Sequence, residues 1–320
     1  MSGILNISLD FELHWGRFDK VQLDAKNRPY FENTRAMFPR MVKLFLDHEV
    51  KVTWAAVGML YHRNAEEWRQ YQPSVLPAYT NPKVSSYEWV KEYGLLEPED
   101  PYHFAPELID LIDNQQLFEI GTHTYSHYYC QEVGQTIEDF RRDLELAILV
   151  QGKRGHRPKS LVFPRNQFNE AYLDVCRDLG ITAVRSNPDC WYWDATREET
   201  LMTKVFRTGD AYTNFLKSKV VPLSSIDFTS SPVLLPASRL YRAWTSKSNM
   251  LNKLKMRRIL DEMTYAAKTE GYYHLWWHPH NFGWNPEECL KELEVILRHY
   301  QELNRKYGFR SLTMNEMVNS

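Results

Sequence analysis

Residues 117–127 read LFEIGTHTYSH: a short apolar run stops at Gly121, and histidines follow at 123 and 127. By length and composition the run is a buried strand, and the polar cluster stands just past its C-terminal end. The same layout recurs along the chain. ILNISLDF (4–11) precedes Glu12, SLVFP (160–164) precedes Arg165, and YYHLWW (272–277) precedes His278. VTWAAVGML (52–60), ITAVRS (181–186) and FRSL (309–312) have the same strand character. The intervening stretches read as helices: 34–49 with Asn33 as cap and Pro39 in its first half, 106–116, 136–151, 169–179 closed by Gly180, about 250–270, and 286–307 ending before Gly308. Seven strands alternating with helices predict an α/β fold with a parallel, helix-covered sheet, and that number of units predicts closure into a barrel; an open doubly wound sheet is the alternative.

Two spans break the rhythm, about 61–105 and 187–249, and both far exceed an ordinary loop. Long loops on an α/β core build or cover a site. The whole chain, 1–320, is therefore expected to be one catalytic domain with two insertions.

Composition narrows the partners. The formal net charge is −2, which gives no electrostatic footprint for nucleic acid or an anionic membrane. The 10 Trp and 19 Tyr suit packing, and equally suit stacking on sugars. No stretch approaches the roughly 20 apolar residues of a membrane span. Cys130, Cys176, Cys190 and Cys289 form no CxxC and read as thiols in a reducing compartment. Residues 1–16 lack the basic n-region of a signal peptide. Together these point to a cytoplasmic protein of undetermined oligomeric state.

In α/β folds chemistry sits where the strands end. Strand one ends with Asp10 and Glu12, two apart and so on one side of an extended chain. His123 and His127, spaced i and i+4, are expected to meet on one face of a helical turn and offer two imidazoles to a divalent metal. Two imidazoles, one carboxylate and an open position make a catalytic zinc arrangement. His278, at a strand end before Pro279, is a candidate general acid; His274 lies deeper and reads as a packed core histidine, with His280 at the rim or behind the site. Arg165 is placed to neutralise and orient an acid. Alone, each feature also fits a structural salt bridge or a packed side chain.

Together, SLDFE (8–12), HTYSH (123–127), FPRN (163–166) and LWWHPHNF (275–282) resemble the motifs of the polysaccharide deacetylase family, in the family's order. The resemblance implies an irregular (β/α)7 barrel and a divalent metal, most often zinc. By position, Asp10 matches the catalytic base, Glu12 the metal-binding acid, His123 and His127 the metal histidines, and His278 the catalytic acid. Phe11 separates two acids that the family usually has adjacent, so the roles of Asp10 and Glu12 are interchangeable on this pattern. Arg165 follows Pro164, where the family's arginine precedes the prolines. The acid and tryptophan that tune the family's histidine are supplied either by Asp189 and Trp191 or by Asp227.

The implied reaction is removal of an N-acetyl or related acyl group from an amino sugar. Asp10 takes a proton from water, Arg165 holds Asp10 ionised, and His278 protonates the leaving amine. A cytoplasmic enzyme of this kind fits surface-polysaccharide biosynthesis, such as O-antigen or capsule. The alternatives are an amidase acting on a non-sugar C–N bond and a catalytically impaired carbohydrate-binding relative.

Overall fold

The protein is described from a computed structural model covering residues 2–167, 169–193, 200–212 and 219–319. Its strands are β1 (Ile4–Phe11), β2 (Val52–Ala56), β3 (Phe118–Thr122), β4 (Ser160–Leu161), β5 (Ala183–Ser186), β6 (Val221–Pro222), β7 (Val233–Pro236), β8 (Arg239–Leu240), β9 (Gly271–Trp277) and β10 (Arg310–Leu312). They form one sheet in the order β6-β9-β1-β2-β3-β4-β5-β7, with β10 beside β1 and β8 beside β9. Every pairing is parallel except β6 with β9.

The sheet curls into a barrel, and a single segment bridges its last gap. β7 pairs with β5 and, after two residues, β8 pairs with β9. At the joint, Ala237 N donates to Ser186 O at 2.9 Å, while the next residue, Ser238, donates from N to His274 O at 2.9 Å. Val233–Leu240 is thus one bent stave shared between two neighbours, and the barrel has seven staves.

That number agrees with the seven strands read from the sequence, but the set differs. FRSL is β10, a short strand against Ile4–Asn6 at the N-terminal end of β1, and not a stave. The missing stave lies inside the span read as the second insertion. It is too short and too broken, by Pro236, to show a period of two.

The first helix also differs. It runs Arg28–Asp47, with Pro29 in its first turn, where an absent N–H costs nothing. Asn33 is inside it and donates from Nδ2 to Gly283 O at 3.0 Å. Other ends follow the expected signals. The helix Ile137–Gly152 opens with a capping box between Thr136 and Asp139, and Pro286–Tyr307 closes on Gly308 at φ 67°.

Strand parity divides the chemistry. On β1, Leu5, Ile7, Leu9 and Phe11 join the core under the helices, with Met37, Phe38, Met41 and Phe45. The alternate residues Ser8 and Asp10 face the barrel interior, where Arg185 of β5 and His274 of β9 meet them. A buried polar column therefore runs up the lumen to the strand ends, above apolar residues such as Ile4, Ala183 and Tyr272.

Both insertions are tied down by buried ionisable groups. In the first, Asp100 accepts from His103 Nδ1 at 2.9 Å, and His103 Nε2 faces His14 Nδ1, just past β1, at 2.8 Å. In the second, Asp210 ends the helix Leu201–Asp210 and lies 3.2 Å from Arg258, while Arg239 makes a two-point contact with Glu262 at 2.6 and 2.7 Å. Buried pairs of this kind give little net stability but cost several kcal/mol to break, so they fix where each insertion sits.

Candidate active site

Glu12 leaves β1 just past its last residue, at φ −136° and ψ −17°. Its Oε2 lies 3.1 Å from His123 Nε2 and 2.9 Å from His127 Nε2. One donor atom from each of these three buried residues falls within 4.8 Å of the others. The structure therefore groups Glu12, rather than Asp10, with the two histidines.

The histidines do not meet through a helical turn. Residues 123–127 form an irregular loop, with Thr124 at φ 64° and His127 at φ 57°, and the two rings stand 5.0 Å apart. The loop is held from behind by Asp143, which accepts from Tyr125 N at 2.7 Å, Ser126 N at 3.1 Å and the Ser126 hydroxyl. Burial outweighs those hydrogen bonds and pushes the Asp143 carboxyl up to about 6. Gly16 completes the pocket around Glu12: a Cβ there would lie 1.9 Å from the Glu12 carboxyl carbon and one of its oxygens.

The donor set fits a cation. Val162 O lies 2.7 Å from His123 Nδ1, and a carbonyl only accepts, so Nδ1 carries the hydrogen and Nε2 turns a lone pair toward Glu12. A lone pair and a carboxylate oxygen at 3.1 Å repel unless a proton or a cation lies between them. Burial holds His127 below its usual range, which favours its neutral, ligating form. Burial alone would raise the Glu12 carboxyl, but the neighbouring imidazoles, His278 first and then His127, hold it well below its ordinary value.

Asp10 has a different partner. Arg185 Nη1 and Nη2 donate to its two oxygens at 2.6 and 2.8 Å. The guanidinium also donates to Ser8 Oγ at 3.1 Å and Asn166 Oδ1 at 2.9 Å, and lies 4.1 Å from the Trp276 ring. Burial would raise the Asp10 carboxyl, but Arg185 and then His278 overcome it and lower it. The residue expected in this role, Arg165, points elsewhere. It pairs with Asp19 and with Glu132 at 3.2 Å, and lies 4.0 Å from the Tyr129 ring. The backbone explains the difference: Arg165 and Asn166 both take positive φ, 54° and 51°, which turns this segment over after Phe163. The sequence signal for Arg185 is a lone charge inside the buried strand ITAVRS.

His278 follows β9 at the mouth. Its Nε2 lies 3.5 Å from Asp10 Oδ2 and 3.6 Å from Glu12 Oε1. The Tyr30 hydroxyl donates to Asn281 Oδ1 at 3.1 Å, which turns Asn281 Nδ2 toward His278 Nδ1 at 3.3 Å. This places the imidazole hydrogen on Nε2, facing the two acids. The acids proposed from sequence to tune His278 lie apart from it. Asp227 caps its own turn through Thr229 at 2.6 Å, Asp189 lines a separate depression, and Trp191 packs on Phe206. His280 is buried, with Nδ1 3.8 Å from Glu12 Oε1. His274 is a lumen residue between Ser8 Oγ at 2.8 Å and the Tyr272 hydroxyl at 2.9 Å.

Asp10, Glu12, His127, Arg165, His278 and His280 all open onto one cleft of about 960 Å³. Trp193, Trp276, Trp284, Tyr30, Tyr212 and Tyr241 also line it. A seven-stave parallel barrel carrying an acid with two histidines, a second acid, and a third histidine at its strand ends defines the class: an α/β-barrel protein with a polar site at the C-terminal mouth.

The chain belongs to the polysaccharide deacetylase family, whose model matches residues 23–184, half of the chain. That span holds HTYSH and FPRN. No curated protein matches the sequence. Among solved structures it is similar to a Mycobacterium smegmatis protein assigned to the polysaccharide deacetylases, at 14% identity and TM-score 0.60, over 99% of this chain and 88% of that one. It is also similar to PuuE allantoinase, at 11% identity and TM-score 0.55, over 99% and 89%. A GH57-type branching enzyme from Pyrococcus horikoshii gives 11% identity and TM-score 0.56, over 100% and 71%. At these identities the likeness is one of fold. No helix among the described residues is long and apolar enough to cross a membrane.

Proposed function

We propose that the protein is a metal-dependent hydrolase that removes an N-acetyl or related acyl group from an amino sugar. The observation that carries this reading is the convergence of Glu12, His123 and His127 beside a second acid and a third histidine. Glu12 Oε2, His123 Nε2 and His127 Nε2 would hold the metal, most plainly zinc for a donor set of two imidazoles and one carboxylate. Bound there, a divalent cation supplies Lewis acidity toward the acyl carbonyl and lowers the pKa of a water.

The remaining steps belong to the protein. Asp10, kept ionised by Arg185, takes a proton from the attacking water. His278, in its protonated form and with Nε2 facing the site, gives its Nε2 hydrogen to the leaving amine nitrogen and is left as the neutral imidazole, while Asp10 keeps the proton taken from water. The aromatic lining of the cleft gives the sugar ring flat apolar faces to lie against. Arg165 shapes the cleft wall. Its proposed part in catalysis is to anchor the strand end that carries Asn166, a partner of Arg185.

A place in building a surface polysaccharide, O-antigen or capsule, inside the cytoplasm is part of this proposal. The test is acetate release from N-acetyl amino sugars by purified protein, with metal determined by elemental analysis. Stoichiometric metal and acetate release support the reading. Metal with hydrolysis only of non-sugar amides favours the amidase, and sugar binding with neither favours a binding protein.

A further inference from the structure

The cleft's charge is at odds with the chain's. Seven lysine and arginine side chains line it against two acids, in a protein whose formal net charge is −2. Both acids are already engaged, Asp10 by Arg185 and Glu12 by the histidines. Of the cations, Arg165 is balanced by Asp19 and Glu132. Arg17, Arg242 and Lys247 make no salt bridge to a carboxylate among the described residues, although Asp210 acts on Arg242 from farther away.

Their placement is not scattered. β8, β9 and β1 are adjacent staves. His278 follows β9, Arg242 and Lys247 follow β8 on one side of it, and Arg17 follows β1 on the other. The Nε of Arg17 is buried without a hydrogen-bond partner. A buried guanidinium N–H without an acceptor costs free energy, and Arg17, which lines the cleft, carries a charge that an anion entering it would offset. Arg242 spends one N–H on Arg207 O at 3.2 Å. Its other donors remain for a second acceptor, and a guanidinium matches two phosphate oxygens at once. A neutral glycan can accept hydrogen bonds from these groups but leaves their charge unbalanced.

We propose that the acyl-amino sugar taken by this cleft carries a phosphate or diphosphate ester, held by Arg17, Arg242 and Lys247 on either side of His278. The inference rests on the deacetylase reading and specifies its substrate class. The phosphate comes with the sugar's carrier, either a nucleoside or a polyprenyl lipid.

The test compares acetate release from methyl N-acetylglucosaminide, N-acetylglucosamine 1-phosphate, UDP-N-acetylglucosamine and a short-chain prenyl diphosphate N-acetylglucosamine. A phosphorylated probe is expected to exceed the methyl glycoside in kcat/KM by about 100-fold at low salt, the preference shrinking as salt rises. Arg17→Ala and Arg242→Ala are each expected to reduce that ratio by about tenfold or more, in line with loss of a charge-assisted contact. The better of the nucleotide and prenyl probes identifies the carrier. Equal rates on the neutral and phosphorylated probes, or a ratio untouched in both variants, overturn the proposal. Should no probe release acetate, the deacetylase reading falls, and calorimetry with UDP-N-acetylglucosamine against the methyl glycoside decides this one. Binding of the nucleotide sugar that weakens in Arg17→Ala sustains it, and equal or absent binding of both removes it.

Discussion

Arg185, from the fifth strand, grips Asp10, from the first, through two hydrogen bonds of 2.6 and 2.8 Å in the closed centre of the barrel. Both side chains are almost wholly withdrawn from water, at 0% and 3% exposure. An ion pair so deep adds little net stability, since desolvation offsets attraction. Its effect is on chemistry: it keeps a buried carboxyl ionised at the site.

Removing that charge should therefore act through Asp10. Without Arg185, burial would dominate and raise the Asp10 carboxyl, so the acid limb of kcat/KM should move to higher pH in Arg185→Gln, by about 1 to 3 pH units. Arg185→Lys keeps the charge but not the two-point contact, and should fall between. A pH–rate profile checks this; an unmoved acid limb in Arg185→Gln would show that Asp10 is not the titrating base.

His278 is expected to matter for the leaving amine and not for the metal. His278→Ala should lower kcat by roughly 10²- to 10⁴-fold while metal content stays at the parent's level. Asn281→Leu removes the amide that holds the His278 ring through Nδ1, and should give a smaller loss of about tenfold or less, since the ring still reaches its competent orientation part of the time. Steady-state rates and elemental analysis on the same preparations separate the two effects.

Gly16 offers a test that leaves the core untouched. The atoms a new Cβ would strike belong to the Glu12 carboxylate and not to backbone, so Gly16→Ala should still fold, at some cost in stability, while displacing that carboxylate. Metal affinity should drop by about 10- to 100-fold, comparable to loss of a supporting contact. A competition titration against a chelator measures it, and Glu12→Gln and His123→Ala should lose metal more completely.

Asp143 predicts a pH effect on stability. Its folded value, about 6, stands above the ordinary 3.8, so the native state holds this proton more tightly than the unfolded chain does. The contribution is fully present below about pH 4 and is lost as pH rises through 6, a difference on the order of 3 kcal/mol. Asp10, Glu12 and Asp100 are shifted the other way and gain with pH, so the readout must be a difference. Urea unfolding from pH 4 to 7 should show the stability gap between the parent and Asp143→Asn narrowing as pH rises; a constant gap would mean that Asp143 does not titrate there.

Much of the architecture was legible in the chain because local rules govern it. Apolar runs of strand length, each stopping before a polar cluster, state where the strands end, and strand ends in a parallel barrel share one face. That is why Asp10, Glu12, His123, His127 and His278 stand out together in the sequence. Helix limits were legible where a capping residue or a glycine sets them, as at Thr136 and Gly308.

Tertiary structure alone decided the rest. The sixth stave, Val233–Leu240, exists because β5 and β9 leave a gap that only a bent segment fills, and a four-residue strand followed by a two-residue one carries no period. The two histidines meet through positive φ angles held by Asp143, a residue 16 positions beyond the loop, and i,i+4 spacing cannot state that. Most of all, the guanidinium beside Asp10 comes from Arg185 and not Arg165. Sequence proximity to a motif places an arginine near a strand end, but whether its charge meets a given acid depends on strand parity and backbone turn, and those are fixed only when the barrel closes.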